Sequence, residues 1–298
     1  MVVVVDEVDE VVVEELDVDV VVDEVASLAA TAVPHPASAA AQSAAARSFV
    51  GVVTVDESTT SGRCGAAPYA AVRAKEGAVR LAVLGTGGVG RTLAGAFDQR
   101  GDEVRLGTRD PGAAGRDGRL ADFLAAHAGV RLTGFEEAAA ASELAILAVG
   151  GQHAVEAVRR AGGTGSALDG KVLIDVTNPL DFSGGFPPTL FACNTTSLGE
   201  QVQAATTARV VKALNTVAAS VMVDPSSVAN GDHDLFVCGD DEGAKGIVGA
   251  LLEERFGWQR IIDLGDLSMA RGTEMYLALW TRLMAALGTS EFNVRVAR

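Results

Sequence analysis

The sequence predicts an α/β protein with a doubly wound parallel sheet, and three observations support this. From residue 79 onward, short apolar runs alternate with amphipathic segments, as strands alternate with helices in this class. The runs are apolar throughout, which is typical of strands buried on both faces of a parallel sheet. A glycine-rich segment, Gly85 to Gly90, separates the first run from the first amphipathic segment.

The bulk composition fits a globular protein and excludes some classes of function. The chain has 298 residues, of which 48% are hydrophobic, enough for one or two domains with a sizeable core. The formal net charge of -15 argues against a nucleic-acid partner, whose phosphates require Lys and Arg. No apolar run approaches the roughly 20 residues of a membrane span, and the acidic start is unlike a secretory signal. We therefore expect a cytoplasmic protein without a membrane partner.

The first 78 residues differ from the rest of the chain. Ten acidic residues and no basic ones lie between Asp6 and Glu24, so the remainder has a formal net charge of only -5. A stretch rich in Ala, Ser and Pro follows, from Ser27 to Pro68, and is typical of a linker. The pattern favours a low-complexity, disordered extension, with an acidic interaction tail as the alternative.

The organised part of the chain begins with alternating strands and helices. Strands are predicted at Val79–Leu84, Glu103–Gly107, Val130–Leu132, Leu144–Val149 and Lys171–Val176. Helices are predicted at Arg91–Arg100, Leu120–Ala128, Glu136–Ala141 and His153–Arg160. Right-handed crossovers place the carboxyl ends of all parallel strands at one edge of the sheet, where ligands bind.

A second strand–helix series predicts a smaller C-terminal α/β domain. Its strands are Arg209–Ala213, Asp234–Cys238 and Gln259–Asp263, and its helices are Asp241–Arg255 and Met269–Leu287. We expect a nucleotide-binding Rossmann domain over residues 79–215 and the smaller domain over 216–298. The last helix carries an apolar face that favours a core or dimer contact over a cofactor contact, made by Tyr276, Leu279, Trp280 and Leu283.

The glycine segment predicts a site for a dinucleotide phosphate. It follows a predicted strand and precedes a predicted helix, the context in which G-x-G-x-x-G is informative. Gly85 permits the tight turn, Gly87 lets the backbone approach a pyrophosphate, and Gly90 allows close packing of helix on strand. The helix N-terminus supplies N–H groups and a partial positive charge. The predicted binding segment comprises Gly85, Thr86, Gly87, Gly88, Val89 and Gly90.

The end of the second strand favours NADP over NAD. An NAD site places an acidic residue there for the ribose 2′-hydroxyl, whereas this chain has Thr108 and Arg109. A hydroxyl beside a guanidinium suits a 2′-phosphate. Arg116 or Arg119 could add positive charge. The alternative is that Asp110 holds the ribose hydroxyls and Arg109 is a solvated surface residue.

No catalytic acid or base stands out. His153 follows the fourth strand and could face the nicotinamide, although a lone histidine is more often structural. Lys212 and Asn215 lie near a strand end and could orient a substrate carbonyl, or Lys212 could be a surface charge. Arg271 and Glu274 are one helical turn apart, which favours an intrahelical ion pair.

Other patterns limit the chemistry further. Cys64, Cys193 and Cys238 form no C-x-x-C pair and no H-x-x-x-H occurs, so we expect no metal site. Asn178 and Pro179, after the fifth strand, are expected to shape the loop under the cofactor. Hydride transfer between NADPH and a flavin-like ring needs positioning more than proton transfer, which agrees with the lack of a catalytic acid.

From residue 79 to the C-terminus the chain resembles the F420-dependent NADP oxidoreductases. The resemblance rests on the glycine segment and on further segments in matching order and spacing. These are Gly107-Thr108-Arg109-Asp110-Pro111, Lys212-Ala213-Leu214-Asn215-Thr216-Val217, Val237-Cys238-Gly239-Asp240-Asp241 with Ala244-Lys245, and Asp263-Leu264-Gly265 with Ala270-Arg271 and Glu274.

The resemblance implies a Rossmann domain followed by a smaller domain, commonly in a homodimer. It implies NADP at Gly85 to Gly90, with Thr108 and Arg109 at the 2′-phosphate. It also implies direct hydride exchange with coenzyme F420, a deazaflavin, in a cleft that Val149, Gly150 and His153 would line beside the nicotinamide. Asn178, Pro179 and Asn215 complete the predicted set of cofactor-binding residues.

The chain departs from the family pattern at three places, one of which is a longer segment from Asp181 to Gln203. Gly150 and Gly151 stand where the F420 reductases tend to carry proline and a tryptophan, and Asn215 stands where they tend to have histidine. A flavin or another small molecule is therefore an alternative acceptor. Two further alternatives are another NADPH-dependent Rossmann reductase of a small molecule and a non-catalytic NADP-sensing protein.

Overall fold

The computed structural model of the protein describes residues 78–162 and 167–298. The expected disordered extension, residues 1–78, lies outside these ranges except for its last residue, and so does Cys64. Within the described part, every helix is too short or too polar to span a membrane.

An eight-stranded sheet organises the described residues. Its strand order is β10-β9-β8-β5-β4-β1-β2-β3, and β6 and β7 form a separate antiparallel pair. The strands are β1 (Arg80–Leu84), β2 (Glu103–Thr108), β3 (Val130–Gly134), β4 (Leu144–Leu147), β5 (Val172–Asp175), β6 (Leu180–Asp181), β7 (Thr189–Leu190), β8 (Arg209–Ala213), β9 (Leu235–Cys238) and β10 (Ile261–Asp263). The predicted doubly wound α/β fold is confirmed.

The strand order reverses at β1, which is the position where such sheets bind ligands. Leu81 of β1 pairs with Val104 of β2 on one side and with Leu144 of β4 on the other, both in parallel register. The chain builds outward to β3 first and then, on the opposite side, to β4, β5 and β8. This reversal opens a crevice above the carboxyl ends of β1 and β4.

Helices cover both faces of the sheet. The α-helices are α1 (Gly88–Gln99), α2 (Pro111–Ala114), α3 (Gly118–Ala126), α4 (Phe135–Ala140), α5 (Ala154–Arg160), α6 (Leu198–Ala204), α7 (Ala219–Val223), α8 (Glu242–Phe256), α9 (Ala270–Met275) and α10 (Leu277–Leu287). Short 3-10 turns precede α5 and α9, at Gly151–His153 and Leu267–Met269.

Successive strand residues pack against opposite helical layers. Leu81 and Val83 of β1 belong to one core cluster, and Ala82 and Leu84 to the other. Phe97 of α1 is fully buried in the first cluster. Burying a side chain of this size contributes roughly 1.5–3 kcal/mol, so the core clusters hold α1 firmly on the sheet.

The strands predicted before residue 180 are each confirmed to within two residues. Helix α1 begins at Gly88, three residues before the predicted start, because the glycine segment itself forms its first turn. The sequence did not predict β6, β7, α2, α6 or α7. These elements are two to seven residues long, too short to display a helical or strand period.

One edge of the sheet differs from a purely parallel arrangement. Strand β9 pairs with β8 in antiparallel register, Lys212 opposite Cys238, and β10 is parallel to β9. An antiparallel neighbour can be reached without a crossover across the face of the sheet, and the chain from 214 to 234 makes such a return. The expected boundary at residue 215 falls between these two neighbouring strands of one sheet. The division into 79–215 and 216–298 stays a prediction.

The predicted single helix from Met269 to Leu287 is divided in the structure. Helix α9 ends at Met275 and α10 begins at Leu277, with Tyr276 between them. The predicted apolar face is only partly buried. Trp280 is 9% exposed, whereas Leu279 is 54% exposed. The two side chains point to different sides because neighbouring helical residues are separated by about 100°.

Candidate nucleotide-binding site

The glycine segment lies where β1, β2 and β4 come closest. Gly85 has a φ of +129°, and its N–H donates to the Gly107 carbonyl over 2.9 Å. A Cβ at Gly85 would lie 2.2 Å from the Ala148 carbonyl oxygen, and a Cβ at Gly90 would lie 2.1 Å from the Gly85 carbonyl oxygen. Both contacts are far below van der Waals distance. The tight packing of strand, turn and helix therefore requires glycine at these two positions.

The N-terminus of α1 is suited to a phosphate. Gly87 is its N-cap, no side chain caps it, and its first turn carries no acidic residue. Thr86 to Val89 are partly exposed. Arg91 donates from Nη1 to the Thr86 carbonyl over 2.8 Å, which brings a guanidinium beside the loop. Because helix N-termini attract anions, this end of α1 fits a pyrophosphate, and Arg91 is a basic neighbour that the sequence analysis missed.

A cavity of about 390 Å³ opens beside the end of β2. It includes both residues predicted for the 2′-phosphate, but neither Arg116 nor Arg119. Its lining is Thr108, Arg109, Gly134, Phe135, Glu136, Glu137 and Arg160. The Asp110 Oδ1 accepts the Ala113 N–H over 3.0 Å and so caps α2. This engagement of Asp110 weakens the alternative in which its carboxylate holds the ribose hydroxyls.

Charges of both signs border this cavity. Arg109 and Arg160 approach it from different elements, while Glu136 and Glu137 stand at the start of α4, where a helix favours acidic residues. Arg160 donates from Nε to Glu156 Oε1 over 2.7 Å, and both side chains are about half exposed. A phosphate entering the cavity would therefore be near two arginines, with two glutamates on the same lining. The sequence gives no signal for Arg160, because its position in α5 lies far along the chain from the end of β2.

The segment after β4 touches the loop after β5. A Cβ at Gly151 would lie 2.0 Å from the Asn178 carbonyl oxygen, whereas a Cβ at Gly150 would find its nearest neighbour, His153 Cδ2, at 3.7 Å. Val149 packs toward Gly85, and His153 is partly buried in the 3-10 turn. Glycine at 151 is thus required by a close backbone approach, while position 150 has room for a side chain.

A pair of amides joins the ends of β5 and β8. Asn178 Nδ2 donates to the Asn215 carbonyl over 2.8 Å, and Asn215 Nδ2 donates to Asn178 Oδ1 over 3.0 Å. Leu214, just before Asn215, has a φ of +64°, a conformation that costs a non-glycine residue energy and that often accompanies functional sites. Asn215 Oδ1 and Thr216 Oγ1 are buried and have no hydrogen-bond partner among the described residues.

The predicted cofactor-binding residues thus lie along one edge of the sheet. They follow β1, β2, β4, β5 and β8, whose carboxyl ends meet there because these strands are parallel. The fold brings the glycine segment, Thr108 with Arg109, the segment from Val149 to His153, and the Asn178–Asn215 pair to this edge. Their individual contacts with a cofactor stay predictions.

Both hypotheses for Lys212 are wrong. The side chain is fully buried, so it is not a surface charge. Its Nζ lies 3.0 Å from Asp175 Oδ2, 2.8 Å from Glu274 Oε1 and 2.6 Å from the Thr177 carbonyl oxygen. These three acceptors use all three donors of the ammonium, and none is left for a substrate carbonyl. Burial lowers the pKa of Lys212, but the two carboxylates more than offset it, so the pKa is raised above its usual value.

The predicted intrahelical pair of Arg271 and Glu274 is also wrong. Arg271 donates from Nε to Glu200 Oε2 over 2.8 Å, and Glu274 pairs with Lys212. The Glu274 carboxylate also accepts the N–H groups of Leu198 and Gly199, over 2.7 and 2.9 Å. Each residue of the predicted pair therefore links α9 to another element: Arg271 reaches Glu200 of α6, and Glu274 reaches both Lys212 of β8 and the start of α6.

The described residues contain no metal cluster, and the thiol of one of their two cysteines is held protonated. They contain no group of three or more His, Cys, Asp or Glu side chains that could hold a metal ion. Cys193 and Cys238 form no disulfide within the described ranges. Burial raises the pKa of the Cys238 thiol to about 12, so this group stays protonated at neutral pH.

Three comparisons with known proteins identify relatives of this chain. Residues 80–179 match the profile of the family described as NADP oxidoreductase coenzyme F420-dependent. The chain is 31% identical over 212 residues to the F420-dependent NADP reductase of Methanothermobacter marburgensis, covering 69% of this chain and 92% of that protein.

Solved structures extend the likeness to three dimensions. A protein described as an F420-dependent NADP reductase from Arthrobacter sp. FB24 is 50% identical, with a TM-score of 0.71 over 74% of this chain and all of the other. A hypothetical protein from Sinorhizobium meliloti, SMa0349, is 25% identical, with a TM-score of 0.51 over 64% of this chain and 88% of the other.

Proposed function

The chain belongs to the family of F420-dependent NADP reductases and is an NADP-dependent oxidoreductase, and on this premise we propose that it transfers hydride between NADPH and a deazaflavin or flavin-like acceptor. The observation that carries the proposal is the pairing of the glycine segment at α1 with the cavity beside Thr108 and Arg109. The first suits a pyrophosphate and the second suits a 2′-phosphate.

The residues present fit NADP. Gly85 and Gly90 leave no room for a Cβ, so the backbone of the loop can lie close to the diphosphate. Thr108 offers a hydroxyl donor, and Arg109 offers a guanidinium that can bind a phosphate through two donors. Arg91 and Arg160 add positive charge at the two ends of this half of the site.

The nicotinamide half would lie over the segments after β4, β5 and β8. Val149, Gly150 and His153 would border the ring on one side, and Asn178, Pro179 and Asn215 would support it from below. NADPH and its acceptor supply the hydride chemistry when bound, so the protein itself has only to hold the two rings at reacting distance. This division of labour agrees with the lack of an evident acid or base among the predicted site residues.

The acceptor is expected beside the end of β8. Asn215 Oδ1 and Thr216 Oγ1 are buried polar atoms without a partner in the described ranges, and such atoms are usually satisfied by a ligand or ordered water. A deazaflavin or flavin carries ring N–H and carbonyl groups that can meet them. Leu214, held at positive φ just before them, supports a functional role for this strand end.

A homodimer is part of the same proposal. Met275, Leu279 and Leu287 are exposed apolar side chains at the end of α9 and along α10, and they offer a face for a second copy of the chain. The cytoplasmic location expected from the sequence stays a prediction, which cell fractionation would check.

The test is NADPH oxidation by the purified full-length chain, followed at 340 nm, with F420, FMN and FAD offered separately. NADH replaces NADPH in the control. We expect turnover with F420 or one of the flavins and a strong preference for NADPH. Tight binding of NADPH without turnover on any of these acceptors would contradict the proposed acceptor. Equal rates with NADH would contradict the role of the cavity beside Arg109.

A further inference from the structure

A buried ion network connects α9 with the loop after β5. The side chains of Asp175 and Lys212 are 0% exposed and that of Glu274 is 1% exposed. Lys212 lies between the two carboxylates, at 3.0 Å from Asp175 Oδ2 and 2.8 Å from Glu274 Oε1. Burying charged groups is costly unless every one is paired, so a network of this kind is rigid when complete and unstable when one member is removed.

Backbone N–H groups stabilise the negative charges of both carboxylates in this network. The two oxygens of Glu274 accept the Leu198 and Gly199 N–H groups at the start of α6. The Asp175 Oδ1 accepts the Thr177 N–H over 2.9 Å. The excess negative charge is therefore spread over peptide groups at both ends, and the network is anchored in α6 and in the loop after β5.

The loop after β5 is held by this network at every polar group of Thr177. The Thr177 N–H and its Oγ1 hydroxyl both donate to Asp175 Oδ1, the hydroxyl over 2.6 Å, and its carbonyl accepts from Lys212 Nζ over 2.6 Å. The next residue is Asn178, whose amide pairs with Asn215 and whose carbonyl oxygen lies against Gly151. The position of Asn178 is thus set by groups buried behind it.

We propose that Glu274, Lys212 and Asp175 act together as a positioning network for the nicotinamide half of the bound dinucleotide, through Thr177 and the loop it begins. The inference rests on the proposed function, which seats the nicotinamide over Asn178 and Pro179. The network touches neither the glycine segment nor the cavity beside Arg109, which hold the phosphates. Its members are positioning residues, because they act through the loop rather than on the reacting atoms.

This role makes a prediction that general stabilisation of the fold does not. Disturbing the network shifts the nicotinamide support but leaves the adenine and phosphate support in place. Hydride transfer is sensitive to displacements of an ångström, which can lower rates by about 100-fold. Loss of the network should therefore weaken binding of the whole dinucleotide and lower kcat. The affinity for a ligand that lacks nicotinamide should stay unchanged.

The experiment compares two ligands on the full-length protein by titration calorimetry. NADPH carries both halves, and adenosine 2′,5′-bisphosphate carries the 2′-phosphate half without nicotinamide. In Glu274→Gln, we expect NADPH to bind about tenfold more weakly and the bisphosphate to bind within twofold of the unchanged protein. Equal weakening of both ligands, or no change in either, would overturn the inference.

A second variant approaches the network from its other end. Thr177→Val keeps the shape of the side chain and removes only the hydroxyl bond to Asp175, so it disturbs folding less than a change at Glu274. We expect the same difference between the two ligands and a fall in kcat. If Glu274 and Thr177 act through the same network, the double variant should bind NADPH no more than about threefold more weakly than the worse single variant. Independent, multiplying losses would refute the coupling.

Glu200→Gln is the matched control. Glu200 also joins α6 to α9, through Arg271, but its bonds do not reach Thr177. We expect this variant to bind both ligands like the unchanged protein. If the unchanged protein binds neither ligand, the proposed function fails. If it binds both and the network variants behave like the control, only the positioning role fails.

Discussion

Thr108 is the last residue of β2 and Arg109 follows it. Both come after Gly107, the last buried residue of the strand. Leu106 and Gly107 are still packed in the sheet, whereas Thr108 and Arg109 reach the cavity. In a Rossmann fold, side chains at this point contact the ribose of the bound dinucleotide and its 2′ substituent. At the scale of single residues, we therefore expect the preference for NADP over NAD to depend on these two neighbouring side chains.

Replacing Arg109 with alanine should weaken NADPH binding far more than NADH binding. A charged hydrogen bond contributes about 1.5–3 kcal/mol, so the loss for NADPH should be roughly 10- to 100-fold. NADH lacks the 2′-phosphate and should bind within about threefold of its original affinity. Fluorescence titration of both nucleotides measures this.

Arg159→Ala is the control for charge removal, because Arg159 is exposed and lies outside the cavity lining. It should leave both affinities nearly unchanged. Equal losses for NADPH and NADH in Arg109→Ala would remove the 2′-phosphate role of this residue.

The two glycines after β4 should respond differently to alanine. The Cβ added in Gly151→Ala meets the Asn178 carbonyl oxygen at 2.0 Å, and a backbone atom cannot move aside cheaply. Overpacking of this kind costs about 1–3 kcal/mol, which should lower Tm by roughly 2–10 °C. Gly150→Ala, with its nearest neighbour at 3.7 Å, should change Tm by no more than about 2 °C. Differential scanning calorimetry measures both Tm values. Equal values for the two variants would contradict the close approach of Gly151 to the Asn178 carbonyl oxygen.

At the scale of elements, α6 and α9 are joined by two ionic contacts of different character. Glu274 is buried and reaches through Lys212 to the site, whereas Glu200 and Arg271 form a partly exposed pair on the outside. The hydrogen bond from Arg271 lowers the pKa of Glu200, and the bond from the Ser197 hydroxyl adds to this. The outer pair therefore gives the two helices a pH-dependent contact.

The outer pair should lose its effect in acid. Because the pKa of Glu200 is lower in the folded state than its ordinary value of 4.5, its contribution is present above that pH and is lost as pH falls through the folded value. We expect Glu200→Gln to lower Tm at pH 7 and the difference from the unchanged protein to shrink below about pH 4.5.

Glu156→Gln serves as the comparison, since it breaks an exposed pair with Arg160 whose effect on Tm should be small at any pH. A difference between Glu200→Gln and the unchanged protein that grew on acidification would contradict the assignment.

At the scale of the whole molecule, α10 has one buried and one exposed side. Leu277, Trp280 and Met284 pack on the hairpin of β6 and β7, and Trp280 stacks on Phe292 at 5.3 Å. Leu279 and Leu287 face outward, 54% and 57% exposed. A helix that is apolar on both sides is expected to contact a further partner, which the proposed dimer would supply.

Leu279→Glu should therefore shift the protein from dimer to monomer. A charge placed in an apolar contact must be desolvated without a partner, which costs far more than the lost packing. Sedimentation velocity at micromolar protein measures the change. Ala121→Glu, at an exposed position of α3, should leave the assembly unchanged. An unaltered sedimentation coefficient for Leu279→Glu would exclude the exposed side of α10 from the dimer contact.

Local sequence patterns alone predict the strands of the large sheet, most of the longer helices and the glycine loop. These features depend on local patterns, because an apolar run or a glycine pair carries its structural preference within a few residues. The strands before residue 180 were predicted to within two residues for this reason. The predicted site segments also lie together at one edge, since parallel topology alone brings strand ends there.

The pairing of polar groups, in contrast, depends on how distant elements fold together. Lys212 finds Asp175 at a separation of 37 residues, and Glu274 finds the Leu198 N–H at a separation of 76. No local pattern encodes such partners, so Lys212 was assigned to solvent or substrate and Glu274 to its helical neighbour. The antiparallel position of β9, the close approach of Gly151 to Asn178 and the exposed side of α10 have the same origin. All of these features follow from the packing of elements that are distant in sequence. For Lys212 in particular, the cost of burying the charge is offset only once the fold brings the carboxylates of Asp175 and Glu274 beside it.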